Sequence, residues 1–175
     1  MNKNKCRRFI NEILGMIILV LIDQFAKYAA VVNLKGRQSI VLIKGVLELS
    51  YLENRGAAFG MLQDQKIFFV FIAVLIIAVI GYVLSRVPDN RKYFMLHLTL
   101  IFIASGAIGN LVDRLRLDYV VDFISFVLIN FPIFNVADIY VTVATAILIF
   151  MLLFVYEEHD LNFLSLKTKR FRNIK

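Results

Sequence analysis

Apolar residues run along this chain in long blocks, not at the half-buried periods of a soluble domain, and four blocks are long enough to cross a bilayer. A hydrocarbon core about 30 Å thick needs roughly 20 mainly apolar residues at the helical rise. Residues 67–85 and 139–156 contain no ionisable side chain other than tyrosine and predict the second and fourth spans. Residues 13–32 predict the first span with Asp23, Gln24 and Lys27 inside it, and residues 93–112 the third with His97 and Asn110. The connection between the first two spans is too long for a turn. Within it, Leu47 to Tyr51 alternate apolar and polar as a half-buried strand does, and Gly45 can turn that strand back on Ile40 to Ile43. The pattern therefore predicts a membrane all-α fold of four transmembrane helices with a small extracytoplasmic β-element between helices 1 and 2. That element should lie on the membrane surface, because an open sheet edge cannot face hydrocarbon. Residues 1–160 are expected to form a single four-helix membrane domain and 161–175 a basic cytoplasmic tail.

Composition strengthens the membrane reading. Of the 175 residues 60% are hydrophobic, where an ordinary soluble domain has roughly half, and the mean hydropathy is +0.76. The net charge of +7 does not point to nucleic acid, because the basic residues cluster at the termini and in one short loop. They read as topology signals. The side holding both termini and the loop Arg86, Arg91, Lys92 carries twelve Lys and Arg, against seven on the other side. Both termini are thus expected in the cytoplasm, with the connections 34–65 and 113–138 outside, and the tail as an inner-leaflet anchor. The first span lacks a small-residue cleavage site and should remain as an anchor; Cys6, with no apolar segment before it, reads as a plain cytoplasmic thiol. No internal repeat is visible, which weighs against an inverted-repeat transporter.

Few residues can do chemistry. A serine or cysteine nucleophile needs an adjacent base, and the chain has only His97 and His159. A Ser105/Lys27 dyad is conceivable, but no sequence pattern brings the two together. A metal hydrolase is disfavoured, as there is no His-Glu-x-x-His run. Carboxylates remain. Asp122 sits among β-branched and aromatic residues in Tyr-Val-Val-Asp-Phe-Ile, and Asp138 opens the uncharged fourth span. A carboxylate beside the bilayer costs about 1–3 kcal/mol according to depth, so each needs a partner or a task. Asp138 alone could be a helix N-cap. As a pair in a low-dielectric pocket, the two could share a proton and divide the roles of base and acid.

Five blocks give these residues a context: Asp23-Gln-Phe-Ala-Lys27; Asn54-Arg-Gly56-Ala-Ala-Phe-Gly60; Gly109-Asn110-Leu-Val-Asp113-Arg114; Val121-Asp122-Phe-Ile; and Phe131-Pro-Ile-Phe-Asn135-Val-Ala137-Asp138. In this order, from about Ile13 to Tyr156, the chain resembles the bacterial lipoprotein signal peptidases. The resemblance implies an aspartic endopeptidase that cleaves prolipoproteins before a diacylglyceryl-modified cysteine at the outer face of the cytoplasmic membrane. Asp122 and Asp138 would be the catalytic pair, with no metal or organic cofactor, and globomycin-type cyclic peptides are expected to inhibit.

The remaining positions have physical readings beside that one. Asn54, Asn110, Arg114 and Asn135 supply donors able to hold a peptide backbone. Gly56, Ala57, Ala58 and Gly60 remove bulk from the outer loop, for a substrate or simply for a tight turn. Asp23 and Lys27, at i and i+4, can neutralise one another; Asp113, beside Arg114, is expected to point elsewhere and orient it. Gly106, Gly109 and Ala137 read as supporting positions, the glycines for close helix packing, and His97 as a satisfied polar residue near the cytoplasmic side. A proton-coupled transporter and a non-catalytic docking protein are the rivals. The first would place its carboxylates at the midplane, and the second leaves the five polar blocks unexplained.

Overall fold

The structure is a computed structural model that describes residues 3–57 and 61–165. The expected small-residue positions Ala58 and Gly60, and the basic tail beyond residue 165, lie outside the described residues. Four long helices, α1 (Lys3–Leu34), α2 (Lys66–Arg86), α3 (Phe94–Leu117) and α4 (Val136–Phe154), are joined with three strands, β1 (Ile40–Ile43), β2 (Leu47–Asn54) and β3 (Val120–Phe126). Each helix is long and apolar enough to cross a membrane, as the hydrophobic blocks predict.

α3 is the central helix. Half of its span is buried, against 11% for α1 and α2 and 17% for α4, and it touches the other three helices. This accords with the small residues and polar guests along its length, where α2 carries an uncharged apolar run from Ile67 to Ser85. At one end of the bundle, Ile80, Leu84, Tyr93, Leu96, Leu100 and Met151 form an apolar core between α2, α3 and α4. The short 3-10 turn Glu158–Leu164 closes that core. Arg86 Nε donates to the Phe163 carbonyl at 3.1 Å, Lys92 pairs with Asp160, and the Tyr93 and Phe163 rings meet edge to face at 5.6 Å. The expected boundary at residue 160 falls inside this turn.

α1 starts ten residues before the predicted span. Its polar first turns have partners: Arg8 Nε lies 3.3 Å from Glu12 Oε1, and the guanidinium donates to the carbonyls of Leu84 in the last turn of α2 and of Val87 just beyond it. Glu12 also lies 2.8 Å from His97 Nδ1, and the Pro88 carbonyl is within 3.3 Å of the other ring nitrogen. His97 is therefore bonded at one ring nitrogen only: Nδ1 is close to Glu12 but, like Glu12 Oε1, is buried without a hydrogen bond of good geometry, which departs from the expected satisfied polar residue.

At the opposite end sits the sheet. β1 and β2 form the predicted hairpin, with Gly45 at φ +72° in its turn. The β-element is larger than expected, however. A third strand, β3, comes from the α3–α4 connection and pairs antiparallel with β2, giving the order β1-β2-β3. Val120 to Phe123 are all buried, so β3 is covered on both faces and lacks the alternation that marks β2. Ala30 and Leu34 of α1 pack against Val121 and Phe123. This fixes the sheet on the helix ends.

Candidate active site

The polar residues of the five blocks meet where the sheet joins the bundle, and their assembly begins with close helix packing. A Cβ on Gly106 would lie 2.5 Å from the Ala137 carbonyl oxygen and 2.6 Å from Val141 Cγ2; one on Gly109 would lie 2.5 Å from Asp23 Oδ2 and 3.4 Å from Ala137 Cβ. Glycine at both places, with Ala137 fully buried opposite, lets the first turn of α4 sit directly on α3 and α1.

Lys27 is the hub of the joint. Its buried ammonium lies 2.9 Å from Asp23 and 2.9 Å from Asp113, and donates to Asn110 Oδ1 at 2.8 Å. Asp23 and Lys27 do neutralise one another, but with a third and a fourth partner. Asp23 Oδ1 accepts from the Ala137 N–H at 2.9 Å, in the first turn of α4 where the helix dipole favours a negative charge. Asp113 points away from Arg114: its carboxylate accepts from the Val121 N–H of β3 at 3.2 Å and from Gln24 Nε2 at 2.9 Å. Four elements are thereby tied by one cation and two carboxylates. Ser105 takes no part, since its hydroxyl donates to the Ile101 carbonyl of its own helix at 2.7 Å, so the Ser105/Lys27 dyad is not formed.

Asp122 and Asp138 face one cavity of about 450 Å³. β3 presents Asp122 opposite Leu52, so that Asn54, two residues along β2, is its diagonal neighbour and within side-chain reach. Asn54 Nδ2 donates to one carboxylate oxygen at 2.8 Å and Asn135 Nδ2 to the other at 2.7 Å. Asp138 accepts from Asn110 Nδ2 at 2.7 Å and from the Asn135 backbone N–H at 3.1 Å. The N-cap of α4 is Asn135, not Asp138. Its side chain accepts from the Asp138 N–H at 3.0 Å while Asp138 returns the bond, a reciprocal capping box,. Capping therefore fixes Asp138 in place without occupying its whole carboxylate.

The direction of each amide is set from behind. Asn110 Oδ1 is taken by Lys27, which can only donate; Asn54 Oδ1 accepts from the Gly56 N–H at 2.9 Å; Asn135 Oδ1 is held by the Asp138 N–H. All three must turn their NH2 groups toward the aspartates. Burial, and then the negative charge of Asp138, push the Asp122 carboxyl from 3.8 up to about 7, against the opposing pull of the two amides and Lys27. Such a group exchanges a proton near neutrality. Arg114 lines the same cavity, donating to the Gly56 carbonyl at 3.3 Å with its guanidinium 4.6 Å from the Phe69 ring centre.

The sequence pattern of the family described as Signal peptidase (SPase) II matches residues 15–154. The chain belongs to the signal peptidase II family. It is therefore a peptidase, and a multi-pass bacterial membrane protein. It is 46% identical over 138 residues to the lipoprotein signal peptidase of Streptococcus thermophilus strain CNRZ 1066, covering 79% of this chain and 89% of that one. With the lipoprotein signal peptidase of Caldanaerobacter subterraneus subsp. tengcongensis it shares 47% over 137 residues, 78% and 91% of the two chains. Two solved structures described as bacterial membrane enzymes superpose with TM-scores of 0.70 and 0.72 at 29% and 30% identity. The first covers 94% of both chains, the second 83% of this chain and 94% of the other.

Within this signal peptidase II fold, Asp122, Asp138, Asn54, Gly56, Asn110 and Arg114 line the cavity, and Asn135, Asp23, Lys27, Asp113, Gly106, Gly109 and Ala137 lie in the joint behind it. The amides of Asn54, Asn110 and Asn135, expected to hold a peptide backbone, are instead committed to the two aspartates. Gln24 was noted only as a polar guest, yet it bridges Asp113 and the Gly109 carbonyl. Its place in the first block, between Asp23 and the turn that carries Lys27, was the available signal. The apolar roof, Phe131 to Phe134, was also unassigned; Phe134 bonds to Phe123 and Ile124 of β3 and closes the cavity. Among the described residues, no group of three or more His, Cys, Asp and Glu side chains is placed to hold a metal ion.

Proposed function

We propose that this chain is an aspartic endopeptidase that removes the signal peptides of prolipoproteins, cutting before the diacylglyceryl-modified cysteine at the outer face of the cytoplasmic membrane. Membership of the signal peptidase II family and the names of the relatives support the substrate class. One observation carries the mechanism: two carboxylates line one cavity, each held by amide donors whose direction is fixed independently.

In this reading Asp122 and Asp138 hold one proton between them. The ionised carboxylate accepts a proton from water as the water oxygen attacks the scissile carbonyl carbon. The protonated carboxyl donates to the carbonyl oxygen and stabilises the negative charge that develops there. The tetrahedral centre collapses when the carbon–nitrogen bond breaks and the proton gained from water passes to the leaving amine of the cysteine. The titration belongs to the pair, and neither carboxyl is assigned the resting proton. Arg114 and the Gly56 backbone are substrate-binding groups, since both border the cavity where a peptide chain would lie. Lys27, Asp23, Asp113, Gly106, Gly109 and Ala137 support the geometry. Both termini lie in the cytoplasm, following the excess of Lys and Arg on their side, which puts the cavity at the outer boundary.

The test is a synthetic lipobox peptide with and without the diacylglyceryl group, incubated with purified enzyme and read by mass spectrometry. A single cut immediately before the lipidated cysteine, and none in the unlipidated peptide, is expected. Intact lipidated peptide beside folded enzyme would refute the reading.

A further inference from the structure

The cavity that holds Asp122 and Asp138 adjoins a second one along α4. Ile139 and Val143, one turn apart on α4, line the first and also the second, an apolar cleft of about 330 Å³ between α3 and α4. From Ile139 the cleft follows α4 to Ile147, eight residues or about 12 Å, toward the end of the bundle that carries the termini. Met95, Leu98 and Phe102 of α3 form the facing wall. No charged residue lines it among the described residues. Of its two polar residues, Thr99 spends its hydroxyl on the Met95 carbonyl of its own helix at 2.7 Å. Tyr140 turns its ring edge to Phe102 at 5.4 Å.

We propose that this cleft seats one acyl chain of the diacylglyceryl-modified substrate, with the glyceryl group at the Ile139–Val143 junction. The inference rests on the reading of the chain as a prolipoprotein peptidase. Size decides for a chain over a peptide helix. A helix about 10–12 Å wide would fill on the order of 1000 Å³ over this length and could only lie across the mouth of a cleft of 330 Å³, whereas a single acyl chain fits inside it. Direction agrees as well: a chain attached to a cysteine at the aspartates must run inward to the bilayer centre, which is the course of the cleft. Membrane lipid is as apolar as the cleft, so transfer contributes little. What the seat contributes is position, holding the thioether so that the preceding peptide bond meets the two carboxylates.

The experiment uses the full chain in detergent and two lipobox peptides, their cysteines carrying either two octanoyl or two palmitoyl chains. Ile147→Trp fills the far end of the cleft. Its kcat for the dipalmitoyl peptide falls about tenfold, while KM for that peptide and both constants for the dioctanoyl peptide stay at wild-type values. Ile147→Phe shows the same preference in weaker form. Val79→Trp, on the exposed face of α2, changes neither substrate. Equal effects of Ile147→Trp on both peptides, or none on either, would overturn the seat and leave the cleft to ordinary membrane lipid. If wild-type enzyme cleaves neither peptide, it is the prolipoprotein reading that falls.

Discussion

Replacing Asp122 with Asn should invert the relative stability of the two chains between acid and alkaline pH. In the folded protein the Asp122 carboxyl titrates near 7 instead of 3.8, so between about pH 4 and pH 7 the folded state binds more protons than the unfolded chain. Wild-type stability must then fall as pH rises through this window, by at most about 1.4 kcal/mol per pH unit and about 4 kcal/mol in all. Above the folded value the loss is complete. The substituted asparagine carries no such charge but has its own cost. Both oxygens of Asp122 accept from amide NH2 groups that cannot turn, because Asn54 Oδ1 and Asn135 Oδ1 are engaged behind them. An asparagine must set its own NH2 against one of these donors, which costs about 1–3 kcal/mol at every pH. The variant is thus less stable than wild type by about 1–3 kcal/mol near pH 4, and more stable by a similar amount near pH 8. Reversible unfolding in mixed detergent and SDS micelles, followed by far-UV circular dichroism across that range, measures both curves. Contributions from groups that do not feel the Asp122 charge cancel in the difference; Asp138 does feel it, so the curve reports the pair,. A difference curve that is flat, or that crosses in the opposite sense, would refute the burial and charge argument for Asp122.

Cleavage by wild type should decline as pH rises through about 7, since the pair then loses its shared proton; a rate that climbs through that range contradicts the shared-proton mechanism. Lys27→Met leaves Asp23 and Asp113 buried without their cation and should destabilise the fold by about 3–5 kcal/mol, measured by the same unfolding assay. Gly109→Ala drives a methyl into the Asp23 carboxylate and should cost about 1–3 kcal/mol, with activity falling further than stability because α4 carries Asp138. Wild-type stability in that variant would mean the Asp23 carboxylate on α1 can give way without loss.

The helices were legible because lipid imposes a single requirement, a run of apolar residues, and Ile67 to Ser85 and Ile139 to Tyr156 meet it without exception. The hairpin was legible from the alternation at Leu47 to Tyr51. β3 was not, because a strand buried on both faces loses its alternation: Val120, Val121 and Phe123 read only as an apolar setting for Asp122. Asp138 was open to reading as a cap because Asp is a good N-cap, and only the structure assigns that place to Asn135 and makes Asp138 its reciprocal partner. The i, i+4 spacing showed that Asp23 and Lys27 could meet. It could not show Asp113, 86 positions from Lys27, arriving at the same ammonium. The cleft between α3 and α4 has no sequence signature, since its residues are as apolar as those that face lipid.

The most direct test of the central claim is cleavage of the lipidated lipobox peptide by wild type, Asp122→Asn and Asp138→Asn, each shown to be folded by circular dichroism. Acid–base roles of this kind are worth about 10²–10⁴-fold in rate, so each single variant should lose at least about a hundredfold while wild type cuts before the lipidated cysteine. Cleavage by either folded variant at the wild-type rate would contradict the assignment of Asp122 and Asp138 as the catalytic pair.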